Sequence, residues 1–569
     1  MADRMLPRMF GGSDAGNGER WLVIALFLYV LLVSVWPLGQ VFLTAFQPGD
    51  DGRPLGLMAD TLTARATGRA LKNTLVVSLG SVAISVGLGV ALALTVGLLR
   101  MRARAALTFL ILMPLIIPSQ TMALSWIELF GSNSPVLRPL GLAPQGANPI
   151  YSSGGIALVM GIEHMPLVFI AIRAALSGLP ADLVEAARIA AIPYPRILRS
   201  IILPILAPSI LAGGLLAFTA AVGNFGVPAL LGIPARVPVL TTLIYQRLNG
   251  FGPEAAGQVA VLAILLTLIA VAALLLRSLL TRQLRMPMSG SGRAFVAEHA
   301  APGWAQVTIW AVVLMIAVLP LAALTMTSFL PAVGVAFSAT NVSLAQYQAV
   351  LGNDAVLRAF ANSLWLSGLC AAICVLVAVP YAYLAAHRPG PLLAAIDLMV
   401  EAPWVVPGTV VALAMILAFL QPIMGVSIYG TAAIIVLAYL ARFLPLVLRP
   451  VTAAAQLHDP AQDEAARIIG AGLLRRLGQI FAPAVIASTV GGAILIMMTA
   501  MNELTLSALL WSTGNETIGV MVFSLQYEGN STAAAAVSVL STLLLFAICG
   551  LAQLLSRHLP GNALPWQNG

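Results

Sequence analysis

Two short stretches of this sequence carry the most chemical information. One reads Glu185-Ala186-Ala187, then Ala191, then Ile201-Ile202-Leu203-Pro204; the other reads Glu464-Ala465-Ala466, then Gly470, then Ile480-Phe481-Ala482-Pro483. A carboxylate beside small residues is no catalytic set. On a short helix, small residues let another backbone come close, and a carboxylate near the helix N-terminus is favoured by the helix dipole. Arg188, Arg467, Arg475 and Arg476 add a charged rim, and Pro204 and Pro483 are expected to bend the chain as it continues. By themselves these residues fit either an ordinary amphipathic loop helix or a surface on which another chain can dock. No energy source accompanies it: a Walker loop needs a lysine after its glycines, and the single lysine, Lys72, lies between Leu71 and Asn73.

The elements that position these stretches follow from composition. Of 569 residues, 60% are hydrophobic and 9% charged, against roughly 25% charged in a soluble domain. So few charges cannot cover a globular surface, so the chain is expected in lipid. Crossing a bilayer takes roughly 20 apolar residues as a helix. Runs of that kind lie near 21–46, 71–99, 105–131, 154–177, 201–224 and 256–280, then near 304–330, 360–386, 392–421, 427–453, 482–504 and 531–556. The expected fold is an all-α polytopic membrane protein of about twelve transmembrane helices. Its expected divisions are a 1–20 tail, a first domain 21–285, a linker 286–303, a second domain 304–558 and a 559–569 tail. The run after Arg20 is longer than a signal-peptide core and has no small-residue cleavage site behind it, so it reads as a retained first helix.

The arginines orient the spans. Arg4, Arg8 and Arg20 precede the first. Arg100, Arg102 and Arg104 follow the second, Arg188, Arg196 and Arg199 the fourth, and Arg277, Arg282, Arg285 and Arg293 the sixth. Arg388, then Arg467, Arg475 and Arg476, then Arg557 fill the matching loops of the second half. All fall on one side if both termini are cytoplasmic. The net charge of +8 comes from these clusters, with no basic stripe and interleaved aromatics that would point to nucleic acid.

The halves repeat. Asn73-Thr74-Leu75 matches Asn362-Ser363-Leu364 at an offset of 289 (362 less 73), which also carries Pro114 to Pro403 and Pro118 to Pro407. Further on the offset is 279 (464 less 185), pairing Pro166 with Pro445 and Pro204 with Pro483. Six spans per copy make the two copies parallel, with a pathway between them.

The Glu-Ala-Ala stretches resemble the coupling loop of type I ABC-importer permeases: Glu-Ala-Ala, three residues, Gly, nine residues, Ile-x-Leu-Pro. Ala191 replaces the Gly of the first copy and Ala482 the Leu of the second; a Gly-to-Ala change still permits close packing. The resemblance implies that two copies of an ABC ATPase dock on Glu185, Ala186, Ala187 and Ala191 and on Glu464, Ala465, Ala466 and Gly470. A periplasmic binding protein would deliver the substrate to a permease in a bacterial inner membrane. The fused halves and the stretch Asn224-Phe225-Gly226-Val227-Pro228-Ala229-Leu230-Leu231-Gly232, followed by Val239-Leu240-Thr241-Thr242-Leu243-Ile244-Tyr245, are similar to the ferric-iron group. Sister groups move thiamine, polyamines or aminoethylphosphonate. A twelve-helix secondary transporter would share the span count but leave the paired loops unexplained, and an integral-membrane enzyme would need a catalytic set the chain lacks.

Charges inside spans are costly and need a reason. Glu163 and Arg442 fall at equivalent positions at the 279 offset; two readings stand, that each pairs locally or snorkels near an interface, or that the two form an ion pair or gate between the halves. Asn224, Asn502 and Glu503 end the fifth span of each half, at its external mouth, where they either cap helices or line the translocation pathway and touch a binding protein. Glu128, Arg173 and Glu401 are further polar groups in or beside the spans. Cys370, Cys374 and Cys549 lie in apolar runs, and His164, His299, His387, His458 and His558 are scattered. No cofactor and no metal site is expected.

Overall fold

The computed structural model describes residues 17–48, 52–53, 55–250, 255–283, 300–422 and 424–556. Arg4, Arg8, Arg285, Arg293, His299, Arg557, His558, and most of the tails and linker lie outside those residues. Among the described residues there are no strands, and nine helices are long and apolar enough to span a membrane, or up to twelve if each of three sharply bent pairs counts as one span.

The first repeat comprises α1 (Gly18–Ala45), α2 (Arg65–Leu98), α3 (Arg104–Ile116), α4 (Ser119–Phe130), α5 (Ser153–Ser177), the short α6 (Ala181–Ile189), α7 (Tyr194–Gly223), the short α8 (Leu240–Leu248) and α9 (Ala255–Gln283). The second comprises α10 (Gly303–Ser328), α11 (Asp354–His387), α12 (Pro391–Val405), α13 (Gly408–Phe419), α14 (Ala432–Ala455), the short α15 (Ala461–Ile468), α16 (Leu473–Ala484), α17 (Ile486–Met501), the short α18 (Ile518–Tyr527) and α19 (Ser531–Ser556). The correspondence is close to residue-for-residue: α2 and α11 are both 34 residues long and begin 289 apart (354 less 65).

Each repeat packs around a triple of helices, α2–α5–α7 in the first and α11–α14–α17 in the second. Small residues allow the close approach. A side chain at Gly89 would meet Val168 at 2.8 Å, and one at Gly161 would meet Ile84 at 2.7 Å; small residues at crossings are what membrane helices use in place of a hydrophobic drive. The repeats are joined by exchange. α1 packs on α9 of its own repeat and on α13 of the other, while α10 packs on α19 and on α4.

The runs 105–131 and 392–421, expected as continuous helices, are broken. α3 and α4 meet at 104°, α12 and α13 at 111°. Proline is the cause: the residue before proline is pushed out of the helical region, and Ile117 and Val406 are extended, at ψ 135° and 137°, ahead of Pro118 and Pro407. Pro204 behaves otherwise than expected. It follows a single wide turn, Leu198–Ile202, that absorbs its missing N–H, and α7 runs on without a sharp bend. In the second repeat the equivalent wide turn, Leu477–Phe481, precedes Pro483, and α16 and α17 do bend, by 79°.

The repeat signature also has a structural job. Asn73 Nδ2 donates to the Pro238 carbonyl at 2.9 Å, and Thr74 Oγ1 accepts from the Leu240 amide. In the second repeat Asn362 Nδ2 donates to the Gly514 and Glu516 carbonyls at 3.0 Å each, and Ser363 Oγ accepts from the Ile518 amide. Each pair ties the start of a short helix, α8 or α18, to the long helix beside it.

Candidate functional site

The two Glu-Ala-Ala stretches form α6 and α15, each between two long helices of its repeat. Glu185, Ala186, Glu464 and Ala465 are exposed. Ala187 and Ala466 are 5% and 7% exposed and face inward, so they seat the helix on its own chain instead of offering it to a partner. Glu185 sits mid-helix, where the dipole does little, while Glu464 is in the first turn of α15.

Gly470 and its counterpart Ala191 both lie at positive φ, +82° and +54°. A Cβ at Gly470 would meet nothing within 4 Å. Close packing within the chain is therefore not what glycine supplies there. It supplies the left-handed backbone that ends the helix, which Ala191 adopts under strain.

Sequence reasoning missed the apolar part of this surface. Ile189 and Ile468, equivalent at the 279 offset, are 87% and 86% exposed, with Ile469 at 83% and Leu474 at 85%. Large apolar side chains held in solvent at a matched pair of positions mark an interaction surface. The signal available was their place just after Glu-Ala-Ala-Arg in both copies.

The second constellation lies where the helices break. Glu163 has ten residues of α5 on one side and fourteen on the other, and Arg442 is similarly central in α14. Glu163 accepts a hydrogen bond from Ser119 Oγ, at the first turn of α4, and two from Asn224 Nδ2, at 3.1 and 3.2 Å. An anion is well placed at a helix N-terminus, whose first amides have no partner within the helix. Arg442 instead donates through Nη1 to the carbonyls of Pro403 at 3.1 Å and Val406 at 2.6 Å, the C-terminal end of α12, with its guanidinium 5.8 Å from the Trp404 ring centroid. A cation suits that end equally well.

Of the two readings of Glu163 and Arg442, the contacts match the local one: each side chain finds its partners within its own repeat. Asn224 caps the end of α7, and its side chain reaches the middle of α5. Its equivalent at the 279 offset is Glu503, which accepts from the Leu506 and Ser507 amides at 2.7 and 3.2 Å. Asn502 Oδ1 accepts from Ser541 Oγ at 2.6 Å, and its carbonyl accepts from Gln120 Nε2 of the other repeat at 3.2 Å. Across the molecule Gly223, the equivalent of Asn502, lies against Pro407, a side chain there falling 3.6 Å from Pro407 Cβ. Each repeat's fifth-span end therefore meets the other repeat's break.

Of the remaining polar groups, Glu128 accepts from Thr327 Oγ1 of the exchanged helix α10 at 3.1 Å. Arg173 donates to Thr108 Oγ1 at 3.2 Å, and Glu401 pairs with Arg449. Among the described residues no three His, Cys, Asp or Glu side chains converge in a metal-ligand group.

A polytopic bundle built twice in parallel, with a matched exposed helix in each copy, defines a two-domain membrane permease. The chain belongs to the family described as binding-protein-dependent transport system inner membrane component, which matches twice, over residues 85–286 and 378–560. It is similar to the Sinorhizobium fredii protein named "Probable ABC transporter permease protein y4fN", 27% identical over 66% of this chain and 67% of that one. It is also similar to the Haemophilus influenzae "Putative ferric transport system permease protein FbpB 1", 23% identical over 87% of this chain and 78% of the relative. The Salmonella typhimurium "Putative 2-aminoethylphosphonate transport system permease protein PhnU" is 32% identical over 21% of this chain and 42% of its own length. Among solved structures, a chain from a bacterial alginate ABC transporter in complex with alginate pentasaccharide-bound periplasmic protein is 17% identical; the match covers 45% of this chain and 93% of that one, with a TM-score of 0.37.

Proposed function

We propose that this permease imports ferric iron, released by a periplasmic binding protein into a path between the repeats and driven by two copies of a separate ABC ATPase docked on α6 and α15. The observation that carries the ATPase part is the matched pair of exposed helices, each presenting a carboxylate, a small residue and a bare isoleucine at equivalent positions. Both termini and both docking helices then lie in the cytoplasm of a bacterial cell, with membrane domains 21–285 and 304–558 and the linker between them. ATP binding closes the ATPase dimer, moves α6 and α15 together, and switches the cavity between the repeats from inward- to outward-facing. The seam of Ser119, Glu163, Asn224, Gly408, Arg442 and Glu503 is where that path is gated.

Ferric iron is favoured by the match to a named ferric permease over 509 residues, which runs through both repeats. The phosphonate permease matches over 121 residues only, and a sulfate permease over 163. The test is ATP hydrolysis by the reconstituted complex with its binding protein loaded in turn with ferric ion, thiamine, a polyamine, 2-aminoethylphosphonate or nothing. Stimulation by the ferric form alone supports the assignment; stimulation by one of the others moves the substrate and leaves the docking helices in place.

A further inference from the structure

The two docking helices rest on seats of opposite chemistry built from the same positions. Under α6 the seat is apolar. Val184 and Ile197 are each 1% exposed and share one cluster with Leu94, Leu99 and Ala301, the last contributed by the approach to the exchanged helix α10. At the equivalent positions under α15 stand Asp463, Arg476, Tyr383 and Arg388 (offsets 279 for the first two and 289 for the others), with Glu19 supplied by the start of the exchanged helix α1.

These five side chains form one network, buried except for the half-buried Arg388. Arg476 Nη1 donates to Asp463 Oδ2 and to Tyr383 Oη, both at 2.6 Å, and Nη2 donates to Glu19 Oε1 at 3.2 Å. Tyr383 Oη donates to Asp463 Oδ2 at 3.0 Å, and Arg388 Nε donates to Glu19 Oε2 at 3.3 Å. Two carboxylates face two guanidinium groups, so the charges balance, and Arg476, Asp463 and Glu19 are each 6% exposed.

The two seats answer motion differently. Apolar contact is non-directional, and a helix can shift over it while the buried area stays nearly constant. A buried charge network is directional: a small slide removes hydrogen bonds and leaves charges unpaired away from water. The networked helix must carry its neighbour with it.

We propose that Arg476 is a positioning residue that locks α15 to the start of α1, so that these elements move as one rigid unit during switching while α6 slides on its apolar seat. The two docking helices are then mechanically unequal, and the second drives the exchanged helix α1 directly. This rests on the reading of α6 and α15 as ATPase-docking helices.

A disulfide tests the rigid unit. A Cβ at Gly18 would lie 3.6 Å from Leu473 Cβ, within the roughly 3.5–4.5 Å that a disulfide needs. Gly18→Cys/Leu473→Cys is placed in the full chain with Cys370→Ala, Cys374→Ala and Cys549→Ala, and reconstituted with its ATPase and binding protein. Oxidation should leave transport within about twofold of the reduced protein, because the joined parts do not move against each other. A fall of more than about tenfold on oxidation, reversed by reductant, overturns the proposal.

A second variant writes the first seat into the second: Glu19→Leu/Tyr383→Leu/Arg388→Leu/Asp463→Val/Arg476→Ile. Replacing a whole buried charge set with apolar groups is commonly tolerated, so the complex should assemble and hydrolyse ATP within about twofold of the parent. Substrate moved per ATP should fall about fivefold or more. An unchanged ratio overturns the proposal while the docking assignment stands. Failure of the parent chain to hold any ATPase overturns both.

Discussion

Glu163 and Arg442 occupy the same position in the two repeats, and each is held by the opposite end of a broken helix: Glu163 at the N-terminus of α4, Arg442 at the C-terminus of α12. A proline break exposes amides on one side and carbonyls on the other. One repeat sets a carboxylate beside the first side through the Ser119 hydroxyl, and the other sets a guanidinium on the carbonyls of the second. Because each charge is matched to its own helix end, exchanging them should not help. Glu163→Arg/Arg442→Glu is expected to be at least as damaging to transport and to melting temperature as the worse single change. Recovery in the double variant would show that the charges act as a pair across the seam.

The same seam contains a second exchange. In the first repeat Ser119 faces Gly226, and in the second Gly408 faces Thr505. A side chain at Gly226 would meet Ser119 Cβ at 2.8 Å, and one at Gly408 would meet Thr505 Cγ2 at 2.9 Å. Overpacking of this kind costs about 1–3 kcal/mol. Gly408→Ser should lower the melting temperature of the purified protein, and Gly408→Ser/Thr505→Gly, which copies the first repeat, should restore most of the loss.

Ala191 at φ +54° bears a strain that Gly470 at φ +82° avoids. The left-handed conformation costs a non-glycine residue about 1–2 kcal/mol. Ala191→Gly is therefore expected to raise thermal stability and Gly470→Ala to lower it, each by about 1 kcal/mol. Differential scanning of the two variants against the parent checks the sign of each.

Asn362 holds the approach to α18 through two carbonyls, and Asn73 holds the approach to α8 through one. Removing either donor should cost about 1 kcal/mol per bond lost, so Asn362→Ala should destabilise more than Asn73→Ala. Faster amide exchange in residues 514–520 of the first variant would place the effect.

The repeat, the helical class and the position of the two Glu-Ala-Ala helices were legible in the sequence because each leaves a local signature: apolar runs of spanning length, arginines between them, and motifs recurring at fixed offsets. The helix breaks were half legible. Pro118 and Pro407 matched across the repeats, but hydropathy alone reads 105–131 and 392–421 as unbroken. The choice between pairing Glu163 with Arg442 and pairing each locally could not be made from the sequence: equivalent positions suggest facing positions, and a linear sequence does not show that a broken helix offers each charge a nearer partner. Glu19 was invisible as a network member, since its partners Arg388 and Arg476 lie hundreds of residues away and meet it only through the exchange of α1.

The central claim is that α6 and α15 receive the ATPase. Its most direct test is recovery of that subunit on Ile189→Asp/Ile468→Asp, two changes at exposed positions that leave the chain's own core untouched. The permease should purify intact while bound ATPase falls at least about tenfold, with transport lost in proportion, since buried apolar anchors dominate such interfaces. ATPase recovery equal to that of the parent would contradict it.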